Sequence, residues 1–170
     1  DNVKINPGDT ISFFTGDEFI GNNSRVYMNY TDFPNDVKKG ERILVDDGKL
    51  LFEILNTNGV DEVKAKVIQG GILSSKKGVN LPNTKLSLPA LTNKDKKDAL
   101  FALEQGVDWI ALSFVRHAKD LKKLEKLILN NSEYKVPIIA KIEKPEGVAN
   151  IKKIVAYCDG IMVARGDLGV

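Results

Sequence analysis

The sequence has few of the residues from which several kinds of functional site are built. It holds one cysteine, Cys158, and one histidine, His117, which excludes an internal disulfide framework and a metal cage made of cysteines alone. A single cysteine also fits a reducing cytoplasm. No run of about 18 apolar residues occurs, so no membrane-spanning helix is predicted. With 25 lysines and arginines against 23 aspartates and glutamates, the balance of charge gives no reason to expect a nucleic-acid partner.

What is present is the composition of an ordinary globular protein. Hydrophobic residues make up 42% of the 170 residues and charged residues 28%, which argues against disorder. The length suits one domain or two small ones. The chain begins with Asp1 rather than methionine and stops at Val170, directly after a strand-like run and its loop. We therefore expect a piece of a longer protein.

The first half of the sequence favours an all-β structure. Short β-rich runs separated by glycine, asparagine, aspartate and proline predict strands at 10–14, 25–30, 42–45, 49–55 and 62–68, and this spacing is typical of a small sandwich or barrel. The dipeptides Asp47-Gly48 and Asn58-Gly59 predict two-residue hairpin turns, so residues 42–68 should form a three-stranded meander. In its last strand, apolar residues alternate with mostly charged ones, as in a half-exposed strand.

The period becomes helical after a loose stretch rich in glycine, serine, lysine and proline, residues 70–89, which we take as the domain boundary. Thr92 with Asp95 predicts a helix start. Helices are predicted over 94–105, over 118–130 and around Val148 to Val155, and apolar strands over 109–115, 136–142 and 160–164. This alternation predicts a parallel sheet covered by helices, and it could be less than half of a (β/α)8 barrel, which needs about 250 residues.

Charged residues at two strand ends are the best candidates for chemistry. Lys141 and Glu143 lie two positions apart, so their side chains point the same way at the carboxyl end of a strand, where parallel α/β folds carry their sites. An ordinary ion pair explains them equally well. Arg165, Gly166 and Asp167 occupy the equivalent loop of the next strand. Two carboxylates on adjacent strands suit a hard cation such as Mg2+.

Other polar features favour plainer interpretations. His117 begins a helix, so a surface or capping role is favoured over general base catalysis. Cys158 lies at a helix end and is expected to be packed. The loop lysines Lys76 and Lys77 could meet a polyphosphate or simply be solvated.

Several longer motifs, in order and at matching intervals, resemble pyruvate kinase. They are Lys76-Lys-Gly-Val-Asn-Leu-Pro82, Leu88-Pro-Ala-Leu-Thr92, Glu104-Gln-Gly-Val-Asp-Trp-Ile110, Ser113-Phe-Val-Arg116, Ala140-Lys-Ile-Glu143 and Asp159-Gly-Ile-Met-Val-Ala-Arg-Gly-Asp-Leu-Gly-Val170. Residues 1–75 match more loosely, mainly in Val45-Asp-Asp-Gly48. The resemblance implies an α/β plus all-β fold. Residues 1–85 would be most of a small β-barrel lid, the B domain, and residues 86–170 would be strands four to six of a (β/α)8 TIM barrel.

The resemblance also implies a role for individual residues. Lys141 would stabilise the transferring phosphoryl group. Glu143 and Asp167 would bind the essential Mg2+ or Mn2+, and the backbone around Gly166 would contact the substrate. Lys77 would reach the nucleotide phosphates when the lid closes. Three further residues would have supporting roles: Asp47 in lid closure, and Ser113 and Phe114 beside Lys141.

The implied reaction is phosphoryl transfer from phosphoenolpyruvate to ADP, which gives pyruvate and ATP in glycolysis. The implied parent enzyme is cytoplasmic, needs K+ and is a homotetramer. We expect the 170-residue chain itself to be inactive, because the potassium ligands, other barrel strands and the regulatory domain are absent from it. Exposed sheet edges should favour self-association.

Three other functions remain open on the residues alone. A metal-dependent lyase or mutase acting on phosphoenolpyruvate or oxoacids could also use Glu143 and Asp167. A Schiff-base aldolase could use Lys141 as its nucleophile, although adjacent carboxylates should keep that lysine charged. A non-enzymatic binding module could be built on residues 1–75, but no aromatic and basic stripe is evident there.

Overall fold

The structure is a computed structural model that describes residues 2–169. The chain separates into two compact units, the first ending at Ser87 and the second spanning Leu88–Gly169. In the described part of the chain, every helix is too short or too polar to cross a bilayer.

The first unit is almost entirely β-structure. Its elements are β1 (Val3–Ile5), β2 (Thr10–Phe14), β3 (Arg25–Tyr27), a short helix α1 (Phe33–Asp36), β4 (Arg42–Val45), β5 (Leu50–Thr57), β6 (Glu62–Gln69), β7 (Gly71–Leu73) and β8 (Val79–Asn80). Six strands form one sheet in the order β3-β2-β6-β5-β4-β8, and β1 pairs with β7. The predicted meander over residues 42–68 is confirmed by the antiparallel pairs β4–β5 and β5–β6.

Alternating side chains build the core of this unit. In β6, Val63, Ala65 and Val67 are fully buried while Lys64 and Lys66 face outward, which confirms the predicted half-exposed strand. Three aromatic rings meet in the core. Phe13 packs edge-to-face on Phe52 at 5.3 Å and on Phe33 at 6.0 Å between ring centroids. Such pairs add to the stability that burial of the rings provides.

Both predicted two-residue hairpin turns are wrong, because each connection is longer. Residues 46–49 join β4 to β5, and Asp46 and Asp47 both have a φ of 55°. Residues 58–61 join β5 to β6. There the Asn58 side-chain oxygen accepts hydrogen bonds from the amides of residues 60, 61 and 62, at 2.9 to 3.0 Å. Side chains that bond to nearby backbone stabilise a wider loop than the dipeptide alone predicts.

The second unit alternates helices with parallel strands, as predicted. Its elements are α2 (Asn93–Glu104), β9 (Ile110–Leu112), α3 (Ala118–Asn131), β10 (Ile138–Ile142), α4 (Pro145–Ala149), α5 (Ile151–Val155), β11 (Gly160–Val163) and α6 (Arg165–Leu168). The sheet order is β11-β10-β9, and both strand pairs are parallel. The whole chain is therefore a mixed α/β protein.

Two helix starts in this unit follow local capping rules. The Thr92 hydroxyl accepts a hydrogen bond from the Asp95 amide at 3.1 Å, and the Asp95 carboxylate accepts one from the Thr92 amide at 2.8 Å. This is the capping box that the sequence predicts. His117 is the N-cap residue of α3, and Asp120 accepts its amide hydrogen at 3.0 Å. The predicted capping position of His117 is confirmed.

Three predictions for this unit are wrong in detail. The strand predicted over 109–115 has only three residues, because Phe114 turns into the left-handed region with a φ of 53°. The single third helix is instead α4 and α5, divided at Asn150, whose φ of −99° and ψ of 9° depart from helical values. The loop predicted at Arg165 to Asp167 is the short helix α6.

The Asp159 carboxylate links the start of β10 to the start of β11. It lies 2.7 Å from the Lys135 ammonium and accepts a hydrogen bond from the Ile138 amide at 3.0 Å. The Ile138 carbonyl in turn accepts the Asp159 amide hydrogen at 3.0 Å. The hydrogen bond from Lys135, followed by that from Ile138, lowers the pKa of Asp159 below its ordinary value of 3.8.

This shift predicts a dependence of stability on pH. A carboxyl group with a lowered pKa in the folded state stabilises the protein above its unfolded pKa, and that stabilisation is lost as pH falls through the folded value. We expect Asp159→Asn to reduce the rise in the free energy of unfolding between about pH 3 and pH 5. Urea titrations at several pH values measure it. Curves of equal slope for both proteins would contradict the prediction.

Candidate active site

Lys141 and Glu143 form a close ion pair at the carboxyl end of β10. The Lys141 ammonium lies 2.9 Å from the Glu143 Oε1 and donates a hydrogen bond to the Ser113 hydroxyl at 3.0 Å. The Glu143 side chain is 1% exposed, whereas that of Lys141 is 27% exposed. A buried carboxylate is costly unless it is paired and hydrogen-bonded, so the Lys141 ammonium stabilises the buried charge of Glu143. The lysine can still face solvent or a ligand.

The backbone of Phe114 supplies the second partner of Glu143. The Phe114 amide donates a hydrogen bond to Oε2 of Glu143 at 2.8 Å, so both carboxylate oxygens have partners. Phe114 adopts a φ of 53°, a conformation that is costly for a bulky residue and that clusters at functional sites. The resemblance implies that Ser113 and Phe114 lie beside Lys141. In the structure Ser113 contacts Lys141, and Phe114 contacts Glu143 through its backbone.

Asp167 lies in α6, directly after the neighbouring strand. Ile142 pairs with Val163 in parallel β10 and β11, so Glu143 and the residues after Val163 leave the sheet at the same edge. Asp167 itself is exposed. Both Asp167 and Glu143 act electrostatically on the ammonium of Lys144.

Lys144 is a member of this site that sequence reasoning missed. Burial lowers the pKa of its ammonium, and Asp167 opposes that effect. Smaller contributions come from Arg116, which lowers the pKa, and Glu143, which raises it. Perturbed titration is a feature of functional sites as well as of structural ion-pair networks. The position of Lys144 directly after Glu143 is the only signal that the sequence offered.

Gly166 has open space where a side chain would be. An added Cβ atom would have no heavy atom within 4 Å, so glycine is not required there by the packing of the described residues. The backbone at this position is therefore open to close approach by a small molecule.

Lys77 lies in the first unit, between β7 and β8, and its partner there is an aspartate that sequence reasoning did not single out. Its ammonium is 3.0 Å from Asp46, which also pairs with Lys49 at 3.1 Å. Hydrogen bonds from Lys77 and then Lys49 lower the pKa of Asp46. The neighbouring Asp47, which the resemblance favours, sits in the turn with a φ of 55°.

The carboxylates of the second unit fit a hard cation in part. Over residues 2–169, no group of three or more histidine, cysteine, aspartate or glutamate side chains is arranged to hold a metal ion. Glu143 and Asp167 offer oxygen ligands at one sheet edge, which is the donor type that Mg2+ prefers. Mg2+ commonly takes one or two carboxylates and completes its shell with water and substrate oxygens, so the donor type of these two residues suits such an ion. Both Glu143 oxygens contact Lys141 or the Phe114 amide in this structure.

Comparison with known proteins identifies the family. A family model described as the barrel domain of pyruvate kinase matches residues 1–170. Pyruvate kinase of Clostridium perfringens is 42% identical over 168 residues, which cover 99% of this chain and 35% of that protein. Pyruvate kinase of Corynebacterium glutamicum is 46% identical over 163 residues, covering 96% and 34% respectively.

Structural comparison agrees with the sequence matches. The crystal structure of a pyruvate kinase from Cryptosporidium parvum superposes with a TM-score of 0.89 at 35% identity, covering 99% of this chain and 35% of that one. The chain thus spans about a third of the length of these relatives. It belongs to the pyruvate kinase family.

Proposed function

We propose that this chain is the central part of an enzyme that transfers a phosphoryl group from phosphoenolpyruvate to ADP, giving pyruvate and ATP. The observation that carries the proposal is the pair of Lys141 and Glu143 at the carboxyl edge of a parallel sheet, with the segment that holds Asp167 at the same edge. Family membership supplies the reaction, and this geometry supplies groups suited to it.

Phosphoryl transfer needs positioning and charge neutralisation rather than covalent help from the protein. The Lys141 ammonium is held by Ser113 and Glu143 and keeps part of its surface exposed. It would neutralise negative charge on the transferring phosphoryl oxygens and on the enolate. Glu143 and Asp167 would hold Mg2+ or Mn2+, and the backbone at Gly166 would contact the substrate. The bound cation supplies further positive charge for the phosphoryl oxygens.

Lys77 would bind the nucleotide phosphates. Its ammonium now contacts one oxygen of Asp46, and phosphate oxygens could replace that partner at similar distances. Residues 1–85 would form the β-barrel lid of the enzyme, in line with the six-stranded sheet of the first unit. Residues 86–170 would be strands four to six of a (β/α)8 barrel, in line with the three parallel strands and their helices.

The remaining properties of the parent enzyme follow from the same proposal. It would require K+ besides Mg2+, work in the cytoplasm as a homotetramer, and bind neither nucleic acid nor membrane. The 170-residue chain should be inactive by itself, since it has about a third of its relatives' length, and it should self-associate through exposed strand edges. Turnover that depends on both phosphoenolpyruvate and ADP in a coupled assay would contradict the first expectation, and light scattering that shows only monomer would contradict the second.

Metal binding tests the proposed site directly. We expect Mn2+, followed by paramagnetic resonance, to bind the chain more tightly when oxalate is present, because oxalate supplies oxygen ligands like those of enolpyruvate. Asp167→Asn should weaken this binding by at least about tenfold, since it removes one of two carboxylate ligands. Asp98→Asn is the control, because Asp98 is exposed on α2 and pairs with Lys94.

The outcomes of this titration separate two questions. Equal Mn2+ affinity in Asp167→Asn and the unaltered chain would contradict the assignment of Asp167. No Mn2+ binding at all would contradict a metal site formed within this chain, although the family assignment rests on independent comparisons.

A further inference from the structure

Asn150 links the residues that follow β9 to the helix that follows the neighbouring strand, β10. Its side-chain amide donates hydrogen bonds to the carbonyls of Arg116 and Glu146, both at 3.0 Å, and lies 3.1 Å from Nδ1 of His117. Arg116 and His117 follow β9, whereas Glu146 follows β10. We propose that Asn150 is a positioning residue that holds the backbone of Phe114 against Glu143. Its effect on metal binding rests on the proposed function, but its effect on the backbone does not.

The backbone that Asn150 holds is residues 113–117, here termed the β9–α3 segment. At its start, Ser113 and Phe114 contact Lys141 and Glu143, and the Val115 amide donates to the Lys141 carbonyl at 3.3 Å. The left-handed φ of Phe114 is energetically costly, so the backbone before and after this residue must be held in place. The contacts to β10 and to Glu143 restrain residues 113–115.

Asn150 restrains the next residue of the segment, Arg116. The backbone amides of Arg116 and His117 donate to Asp120 in α3. Both bonds hold the β9–α3 segment to the helix that follows it, and neither ties the segment to the residues after β10. The Asn150 amide reaches across and bonds the Arg116 carbonyl. It thereby fixes the position of Arg116, two residues after Phe114, relative to α4. That helix begins at Pro145, two residues after Glu143.

Close packing between α4 and the β9–α3 segment restricts movement around Asn150. Gly147 lies so close to the segment that an added Cβ atom would be 2.7 Å from the Val115 carbonyl oxygen. His117 Nε2 lies 2.9 Å from the Glu146 carboxylate, so a proton on Nε2 leaves Nδ1 as an acceptor for Asn150. An amide with two hydrogens therefore meets three acceptors, whereas a carboxylate or a methyl group at this position would satisfy none of them.

Loss of the Asn150 amide should act on Glu143 without any contact between the two side chains. With the Arg116 carbonyl released, Phe114 can relax from its left-handed conformation, and its amide then leaves Glu143. A metal-binding carboxylate that loses such an outer hydrogen bond binds its ion about 10 to 100 times more weakly.

The test follows two signals in the 170-residue chain, labelled with nitrogen-15. The first is hydrogen exchange at the Phe114 amide, compared with amides of the buried core, and the second is Mn2+ affinity. Asn150→Ala and the isosteric Asn150→Asp should each speed Phe114 exchange by at least about tenfold and weaken Mn2+ binding at least about tenfold. Exchange in core amides reports any general loss of stability.

Asn131 provides a matched control. Its side-chain amide also donates to a carbonyl four residues earlier, that of Leu127 at 2.8 Å, but at the far end of α3. Asn131→Ala should leave both signals unchanged. Unaltered Phe114 exchange in the Asn150 variants would overturn the inference, as would an equal acceleration in Asn131→Ala. Absence of Mn2+ binding in the unaltered chain would contradict the proposed metal site, while Phe114 exchange still decides the role of Asn150.

Discussion

Replacing Lys141 with methionine is expected to lower the free energy of unfolding at pH 7 by about 3 kcal/mol, the cost of leaving a buried charge without its partner. The substitution keeps a long side chain but removes the ammonium from its place 2.9 Å from Glu143. The Glu143 carboxylate then keeps only the Phe114 amide among its present partners while remaining almost fully buried. Urea-induced unfolding followed by circular dichroism measures the loss.

Lys135→Met is the matched control for this prediction. Lys135 also forms a close ion pair, 2.7 Å from Asp159, but its side chain is 73% exposed. Exposed pairs contribute about 0 to 1 kcal/mol, so the control should change stability far less. Equal losses in both variants would show that burial of Glu143 does not decide the energetic importance of Lys141.

Replacing Phe52 with alanine should lower the free energy of unfolding of the first unit by about 3 to 5 kcal/mol. Phe52 is fully buried, and its ring contacts Phe13 edge-to-face, so truncation removes apolar contacts and leaves a cavity. The measurement is again urea unfolding, here followed by signals from the first unit.

Phe101→Ala controls for the loss of an aromatic ring as such. Phe101 is 63% exposed on α2, so its truncation leaves no cavity and should change stability by less than about 1 kcal/mol. A Phe52 variant no less stable than the Phe101 variant would contradict the assignment of Phe52 to the core.

Features with a local cause were predictable from the sequence. The Thr92 capping box depends on two residues three positions apart, and the buried face of α3 depends on apolar residues at helical spacing. The alternation in β6 likewise appears in the sequence itself. None of these features depends on distant contacts. The observed boundaries of α2, α3 and β6 therefore differ from the predicted ones by about one residue.

Features imposed by distant contacts were not predictable in this way. The left-handed conformation of Phe114 has no signal in its own residue type, because the bond to Glu143, far along the chain, accompanies it. The same holds for the pairing of Lys77 with Asp46 rather than with the adjacent Asp47. The division of the predicted third helix at Asn150 also accompanies a distant contact, the hydrogen bond from Asn150 to the Arg116 carbonyl.

The candidate site was predictable in its parts rather than in its arrangement. Alternation along a strand places Lys141 and Glu143 on one side, and the structure shows them paired. Their spacing did not reveal that the Glu143 side chain is almost fully buried while that of Lys141 is partly exposed. The roles proposed for Gly166, Asp167 and Lys77 come from the family resemblance rather than from spacing.

The reciprocal bonds between Asp159 and Ile138 contribute to the alignment of β10 with β11, beside the parallel pairing of the strands themselves. They hold the residue before β11 against the first residue of β10, at the amino end of the pair. A slip by one residue would displace the opposite end by about 3.3 Å and turn each side chain of β11 to the other face of the sheet. The α6 residues that follow β11 would then shift relative to Glu143. The hydrogen bonds of Asp159, an exposed residue at the amino end of the strand pair, thus influence where the α6 residues lie relative to Glu143 at its carboxyl end.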